Sequence, residues 1–73
     1  MDRAAEMNAF VSAVEQGGFS SAARELGLSP SALSKLVTRL EDRLGARLLQ
    51  RTTRRLLLTP EGEVFFARAQ RIL

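Results

Sequence analysis

Signals that end and begin helices divide this sequence into short segments, and this division constrains the fold more than any other feature. Glycines follow segments with apolar residues at three- and four-residue steps, at Gly17, Gly27 and Gly45. Ser29-Pro30 and Thr59-Pro60 each put a capping side chain before a proline, which suits the first helical position because its missing N–H needs no partner there. The spacing predicts a mostly α-helical domain of short helices, the longest of about 15 residues.

The sequence lacks the side chains that most often act in catalysis and metal binding. The 73 residues include no Cys and no His. The chain therefore has no disulfide, no zinc–thiolate site, no thiol nucleophile and no imidazole base or ligand. It also has no recognisable nucleophile–base arrangement and no glycine-rich phosphate loop, so we expect neither an enzyme nor a bound cofactor or metal. Apolar burial must hold the core, for which 45% hydrophobic residues are sufficient.

Positive charge is concentrated in the second half of the chain. Residues 1–34 hold two basic and four acidic side chains (net −2), whereas residues 35–73 hold nine basic and four acidic ones (net +5). Five arginines and no acid occur between Arg43 and Arg55. A one-sided basic cluster indicates a polyanionic partner, either nucleic acid or an anionic membrane, although a solvated charged surface has the same composition.

Two features of a membrane or secreted protein are missing from the sequence. No apolar run approaches the roughly 18 residues of a membrane span. The N-terminus also has no basic head followed by an apolar run, which is the pattern of a signal peptide. We therefore expect a cytosolic protein without a membrane partner.

Residues 19–38 predict a helix-turn-helix motif. A short helix with Ala22 and Ala23 on its apolar stripe allows close helix crossing, and Gly27-Leu28-Ser29 joins it to a longer helix. Opposite its leucine stripe, the longer helix carries short polar side chains that can reach base edges or phosphates: Ser31, Ser34, Lys35 and Thr38. An ordinary amphipathic helix with a solvated face has the same pattern.

Residues 47–58 predict a two-stranded β-hairpin with a basic tip. Short leucine-containing runs flank Thr52-Thr53-Arg54-Arg55. A basic hairpin directly after a candidate recognition helix is the layout of a winged helix, whose tip lies along the DNA backbone or in the minor groove, where the negative potential favours arginine. A solubilising turn is the alternative explanation. The two features together favour DNA binding over a protein-interaction module or an enzyme.

The residues of these elements resemble the LysR-type transcriptional regulators. The similarity is carried by Phe19–Lys35 (FSSAARELGLSPSALSK), Leu40–Thr52 (LEDRLGARLLQRT) and Leu58–Gly62 (LTPEG), and it spans residues 2 to 73 without a gap. It implies a winged helix-turn-helix of three helices and a two-stranded hairpin wing over residues 2–59. A linker helix would begin over residues 60–73. The molybdate-responsive regulators, whose N-terminal domain is similar, are an alternative family.

The same resemblance implies a function and its partners. Members are cytoplasmic bacterial regulators that bind double-stranded DNA at pseudo-palindromic sites as homodimers or tetramers. They activate or repress promoters, and the sequence leaves that choice open. A C-terminal domain that binds a small-molecule effector is absent from these 73 residues, and the last helix lacks a C-cap signal. We therefore expect the chain to be part of a longer regulator.

The resemblance also assigns DNA contacts by position. The expected contacts are Ser20, Ser21, Pro30, Ser31, Ser34, Lys35, Thr38, Arg51, Thr53, Arg54 and Arg55. Many members have glutamine in place of Pro30 and arginine in place of Lys35. The glutamine amide can bind adenine, and arginine donates in a bidentate fork that lysine lacks. We therefore expect recognition by this chain to depend more on contacts with the DNA backbone and on the shape of the DNA.

The last predicted helix carries an apolar stripe with two alternative uses. Its members are Phe65, Phe66, Ala69, Ile72 and Leu73. The stripe either completes the core of its own domain or faces another chain. Because the linker helix of the resembling family pairs with that of a second subunit, we expect these residues to form a homodimer interface, with some of them packed on their own domain.

Overall fold

The computed structural model describes residues 3–51 and 56–72. Within these residues the elements are α1 (Arg3–Gln16), α2 (Phe19–Leu26), α3 (Pro30–Leu44), β1 (Leu49–Arg51), β2 (Leu56–Leu58) and α4 (Pro60–Ile72). The two strands pair antiparallel, with Leu49 opposite Leu58 and Arg51 opposite Leu56. This order confirms the mostly α-helical winged helix-turn-helix predicted from the sequence. The predicted tip of the hairpin, residues 52–55, and Leu73 lie outside the described residues.

The helix boundaries follow the capping signals of the sequence. Gly27 and Gly45 end α2 and α3 with φ angles of 71° and 67°, a left-handed conformation that favours glycine because a Cβ is strained there. At the start of α3, Ser29 Oγ accepts a hydrogen bond from the backbone N–H of Ala32 at 3.1 Å. At the start of α4, Thr59 Oγ1 accepts from the N–H of Gly62 at 2.9 Å.

Helix α1 contributes the central side chain of the core. Phe10 is fully buried, and its ring lies edge-on to those of Phe65 and Phe66, with centroids 5.7 Å and 6.1 Å away. Leu33 and Val37, on the inner face of α3, belong to the same buried cluster. Ala9 and Ala13 of α1 and Ala22 and Ala23 of α2 are also fully or almost fully buried. Their small side chains allow α1, α2 and α3 to pack closely.

Two buried carboxylates connect α3 to its neighbours. Both oxygens of Glu6 in α1 accept from Arg43 Nη2, at 2.6 Å and 2.7 Å. Glu41 Oε2 accepts from the backbone N–H groups of Leu48 and Leu49, at 2.8 Å and 3.1 Å. A buried charge is tolerated only when it is paired and hydrogen-bonded, so these contacts favour one arrangement of α1, α3 and β1.

The start of α4 packs directly against the backbone that leads into β1. The Leu48 carbonyl accepts from the Thr59 N–H at 3.0 Å, and Thr59 Oγ1 donates to the Arg47 carbonyl at 2.6 Å. Gly62 lies so close that a Cβ built there would overlap the Leu48 carbonyl oxygen. The absence of a side chain at Gly62 therefore allows α4 to leave the hairpin in this direction.

We expect Gly62→Ala to lower the free energy of unfolding by about 1–3 kcal/mol, because the added methyl group overlaps backbone that cannot shift without displacing β1. Urea unfolding followed by circular dichroism measures the change. Gly18→Ala is the matched control, since a Cβ there meets no atom within 4 Å and the φ of 175° is extended. The control should change the free energy by less than about 1 kcal/mol. Equal losses in both variants would contradict the steric explanation.

Candidate nucleic-acid interface

The outer face of α3 is polar and accessible. Pro30, Ser31, Lys35 and Thr38 are exposed and Ser34 is half-buried, whereas Leu33, Val37 and Leu40 on the inner face are buried. The short side chains of the outer face leave the helix free to approach a flat or grooved partner. Its hydroxyls can donate or accept, and the lysine ammonium donates to guanine acceptors or phosphates.

The first turn of α2 lies beside the same motif. Ser20 is exposed and Ser21 is half-buried, and Gly18 precedes the helix without a side-chain cap. The first N–H groups of a helix have no intrahelical partner and carry the positive end of the helix dipole. Both serines therefore lie where a phosphate can be bound.

Arg51 connects the hairpin to the outer face of α3. Its Nη1 donates to Ser34 Oγ at 3.0 Å, and its Nη2 donates to Thr38 Oγ1 at 3.2 Å. The Nη2 atom also lies 3.8 Å from Glu41 Oε1, and the Cζ atom lies 4.8 Å from the centroid of the Phe19 ring. We call these five residues the Arg51 cluster. It brings together three of the residues predicted to contact DNA.

Sequence reasoning missed both the contacts within the Arg51 cluster and its two supporting members, Phe19 and Glu41. One signal was available: Ser34 and Thr38 are four residues apart, and side chains at that spacing lie one above the other on a helix. The position of Arg51 above both hydroxyls depends on the direction of β1. That direction is set by the contacts of Glu41 with Leu48 and Leu49.

The basic segment between Arg43 and Arg55 divides into groups with different surroundings. Arg43 is paired with Glu6, and Arg51 is held by the Arg51 cluster. Arg47 is exposed. Arg54 and Arg55, with Thr53, were predicted at the tip of the wing and lie outside the described residues. The sequence analysis interpreted the whole basic segment as a surface for a polyanionic partner. In the structure, carboxylates of the same domain compensate part of that positive charge.

The predicted dimer stripe of α4 is divided between core and surface. Ala69 is fully buried, and Phe65 and Phe66 are half-buried against Phe10. Ile72 is 71% exposed, and Leu73 lies outside the described residues. Sequence reasoning missed Val64, which is 56% exposed two turns before Ile72. These two aliphatic side chains are thus the large apolar groups that the described part of α4 exposes.

A shallow groove of about 290 Å³ lies beside Val64, between the end of α3 and α4. Its lining includes the apolar side chains of Leu44, Leu48 and Phe65 and the charged side chains of Glu61 and Arg68. Among residues 3–51 and 56–72, no group of three or more acidic side chains is arranged to hold a metal ion. None of the helices in the described part of the chain has both the length and the apolar character needed to cross a membrane.

Residues 4–63 match the family described as bacterial regulatory helix-turn-helix protein, lysR family. The chain belongs to this family. It is 56% identical over 68 residues to the HTH-type transcriptional regulator CrgA of Neisseria meningitidis, a match that covers 93% of this chain and 23% of that regulator. It is 41% identical over all 73 residues to the HTH-type transcriptional activator AaeR of Escherichia coli, of which it covers 24%. The chain thus spans about a quarter of the length of these lysR-family relatives.

Solved structures of the lysR family share this fold. The structure of BenM_DBD in complex with catB site 1 DNA superposes with a TM-score of 0.92 at 35% identity, over 99% of this chain and 80% of that one. The CbnR_DBD–DNA complex gives a TM-score of 0.91 at 32% identity, over 99% of this chain and 82% of that one. These relatives share both the fold and a substantial part of the sequence with this chain.

Proposed function

We propose that this chain binds double-stranded DNA sequence-specifically as part of a bacterial transcription regulator. In this proposal α3 enters the major groove, and the wing lies on the adjacent backbone or in the minor groove. The observation that carries it is the outer face of α3, which is polar, accessible and free of bulky side chains, on a domain of the same fold as two solved protein–DNA complexes. A helix of this kind fits the width of the major groove.

We assign different roles to the helices and to the wing. Pro30, Ser31, Ser34, Lys35 and Thr38 would face the base edges, and Thr53, Arg54 and Arg55 would contact the DNA backbone or the minor groove. Ser20 and Ser21 would bind a phosphate at the first turn of α2. Base contacts determine sequence preference, whereas phosphate contacts determine affinity and register. Arg51 belongs to neither group alone, because it lies on the wing but contacts Ser34 and Thr38 of α3.

We further propose that residues 2–59 are the DNA-binding unit and that residues 60–73 begin a linker helix through which two copies associate. A two-fold dimer presents two copies of α3, so its site would be pseudo-palindromic. The exposed Val64 and Ile72 support an apolar contact between helices, while Phe65, Phe66 and Ala69 would hold α4 in place. In α4 the first turn carries Glu61 and Glu63 and the last turn carries Arg71, so antiparallel helices would also be complementary in charge.

The remaining properties of the regulator follow from this assignment. A protein that regulates bacterial promoters acts in the cytoplasm, where the DNA is. We propose that its role is binding rather than catalysis, which agrees with relatives that are transcriptional regulators. The small-molecule effector would bind to a part of the regulator other than these 73 residues.

Binding to duplex DNA should weaken steeply with salt. If each chain neutralises about five phosphates, the logarithm of the binding constant should fall with the logarithm of the salt concentration at a slope of about −4 to −5, because bound counterions are released. Fluorescence anisotropy with labelled duplexes measures this slope. A response that is flat with salt would contradict the DNA-binding function and favour a protein-interaction module.

Substitutions in the wing and in α3 should have different effects. Arg54→Ala or Arg55→Ala should weaken binding to most sequences alike, because a phosphate contact carries no sequence information. Ser34→Ala or Lys35→Ala should instead change the preferred sequence. Selection of bound sequences from random duplex DNA separates the two effects. If the wing variants changed the preference and the α3 variants did not, the two assignments would be reversed.

Ile72→Gln should weaken self-association by about 10-fold or more, because it replaces an apolar contact made twice in a symmetric dimer. Since Ile72 is exposed in the single chain, the substitution should leave the fold intact. Sedimentation equilibrium measures the association constant. Ile72→Leu, which keeps the apolar surface, is the control. Unchanged association of the Gln variant would exclude this residue from the interface.

A further inference from the structure

The guanidinium of Arg51 is held on the outer face of α3 by several contacts at once. Two of its nitrogens bind hydroxyls on successive turns of the helix, Ser34 at 3.0 Å and Thr38 at 3.2 Å. Its Cζ lies over the Phe19 ring of α2, and its Nη2 lies 3.8 Å from a buried carboxylate oxygen of Glu41. Arg51 is thus held from α2 and from two turns of α3, and only 31% of its side chain is exposed.

These contacts determine which way the two hydroxyl groups donate. A guanidinium has donors and no acceptor, so the oxygens of Ser34 and Thr38 must accept from it. The hydrogen of each hydroxyl is then free to donate elsewhere. The adjacent positive charge strengthens this donation, because hydrogen bonds in a chain polarise one another, and the same charge repels a second donor.

We propose that Arg51 is a positioning residue, which commits Ser34 and Thr38 to donate to the DNA and so makes α3 select guanine at the position that they face. Guanine presents two adjacent acceptors in the major groove, N7 and O6. Thymine presents one acceptor, O4, beside its methyl group, cytosine presents an amino donor, and adenine presents an amino donor beside a single acceptor. The inference rests on the proposed function, because it requires α3 to lie in the major groove. It changes the role of Arg51, which sequence reasoning assigned to direct contact with DNA.

Direct contact is the competing explanation, and it has a different signature. A guanidinium carries five N–H groups, and in this explanation one that is not donated to Ser34 or Thr38 binds a phosphate. A phosphate contact would contribute equally to all sequences and would steepen the salt dependence. A positioning role would instead change the sequence preference and act only through the two hydroxyls.

The first experiment compares this chain with Arg51→Gln by selection from random duplexes and by anisotropy over a salt series. We expect Arg51→Gln to lower the preference for guanine at one position per half-site by about 3- to 10-fold, the value of one or two hydrogen bonds. The salt slope should change by less than about 0.5. Arg3→Gln removes the same charge from α1, which carries none of the predicted contacts, and should leave the guanine preference unchanged. Thermal unfolding confirms that each variant is folded.

The second experiment removes the hydroxyls and keeps Arg51. Ser34→Ala combined with Thr38→Val should lose the same guanine preference, and adding Arg51→Gln to that pair should change it no further. Replacing the preferred guanine by 7-deazaguanine, which lacks the N7 acceptor, should weaken binding of the unsubstituted chain by about 3- to 10-fold and leave the Ala/Val variant unaffected.

The outcomes separate this inference from the proposed function. If Arg51→Gln weakens all sequences alike and reduces the salt slope by about 0.9, Arg51 contacts a phosphate, and the inference fails while DNA binding stands. An unchanged guanine preference in the Ala/Val variant would also overturn it. If the unsubstituted chain binds no duplex at all, the proposed function fails, and the inference fails with it.

Discussion

The hydrogen bonds of the Glu41 carboxylate hold the hairpin to α3, and the geometry of the candidate interface depends on them. The carboxylate accepts from the N–H groups of Leu48 and Leu49, at the point where the chain enters β1. Without it, two buried N–H groups would lose their partner, which costs about 1–3 kcal/mol each. From this anchored strand, Arg51 reaches the outer face of α3, and the carbonyl of Leu48 meets the start of α4. The buried carboxylate of Glu41 therefore fixes how β1 and the start of α4 are oriented with respect to α3.

Two arginines of this small basic domain have partners within the domain itself. Arg43 compensates a buried carboxylate of α1, so its charge stabilises the packing of α1 on α3. Arg51 uses its donors on two hydroxyls and lies over an aromatic ring, so it orders the surface that α3 presents. Net charge alone indicates a polyanionic partner, but it does not distinguish these uses, because they depend on which acceptors the fold brings within reach.

The helix-turn-helix and the hairpin were predictable because their signals are local. A serine before Pro30 caps α3, glycines adopt the left-handed conformation after α2 and α3, and apolar residues recur at the helical period. Each of these depends on neighbouring residues and on backbone chemistry. The α4 stripe was harder to interpret, because its periodicity predicts an apolar face without showing what covers it. In the structure Phe10 of α1 covers Phe65 and Phe66, more than fifty residues away in the chain.

Residue types and their spacing were sufficient to predict the elements of this protein, its lysR-family resemblance and the face of α3 that is polar. These properties follow from backbone conformation and helical period, which neighbouring residues control. Tertiary packing decided which partners Arg43 and Arg51 have and which apolar side chains of α4 reach the surface. These outcomes depend on distances between residues far apart in the chain, such as Glu6 to Arg43 and Arg51 to Thr38. No local pattern specifies such distances, because they result from packing helices α1 to α4 of the described residues around one core.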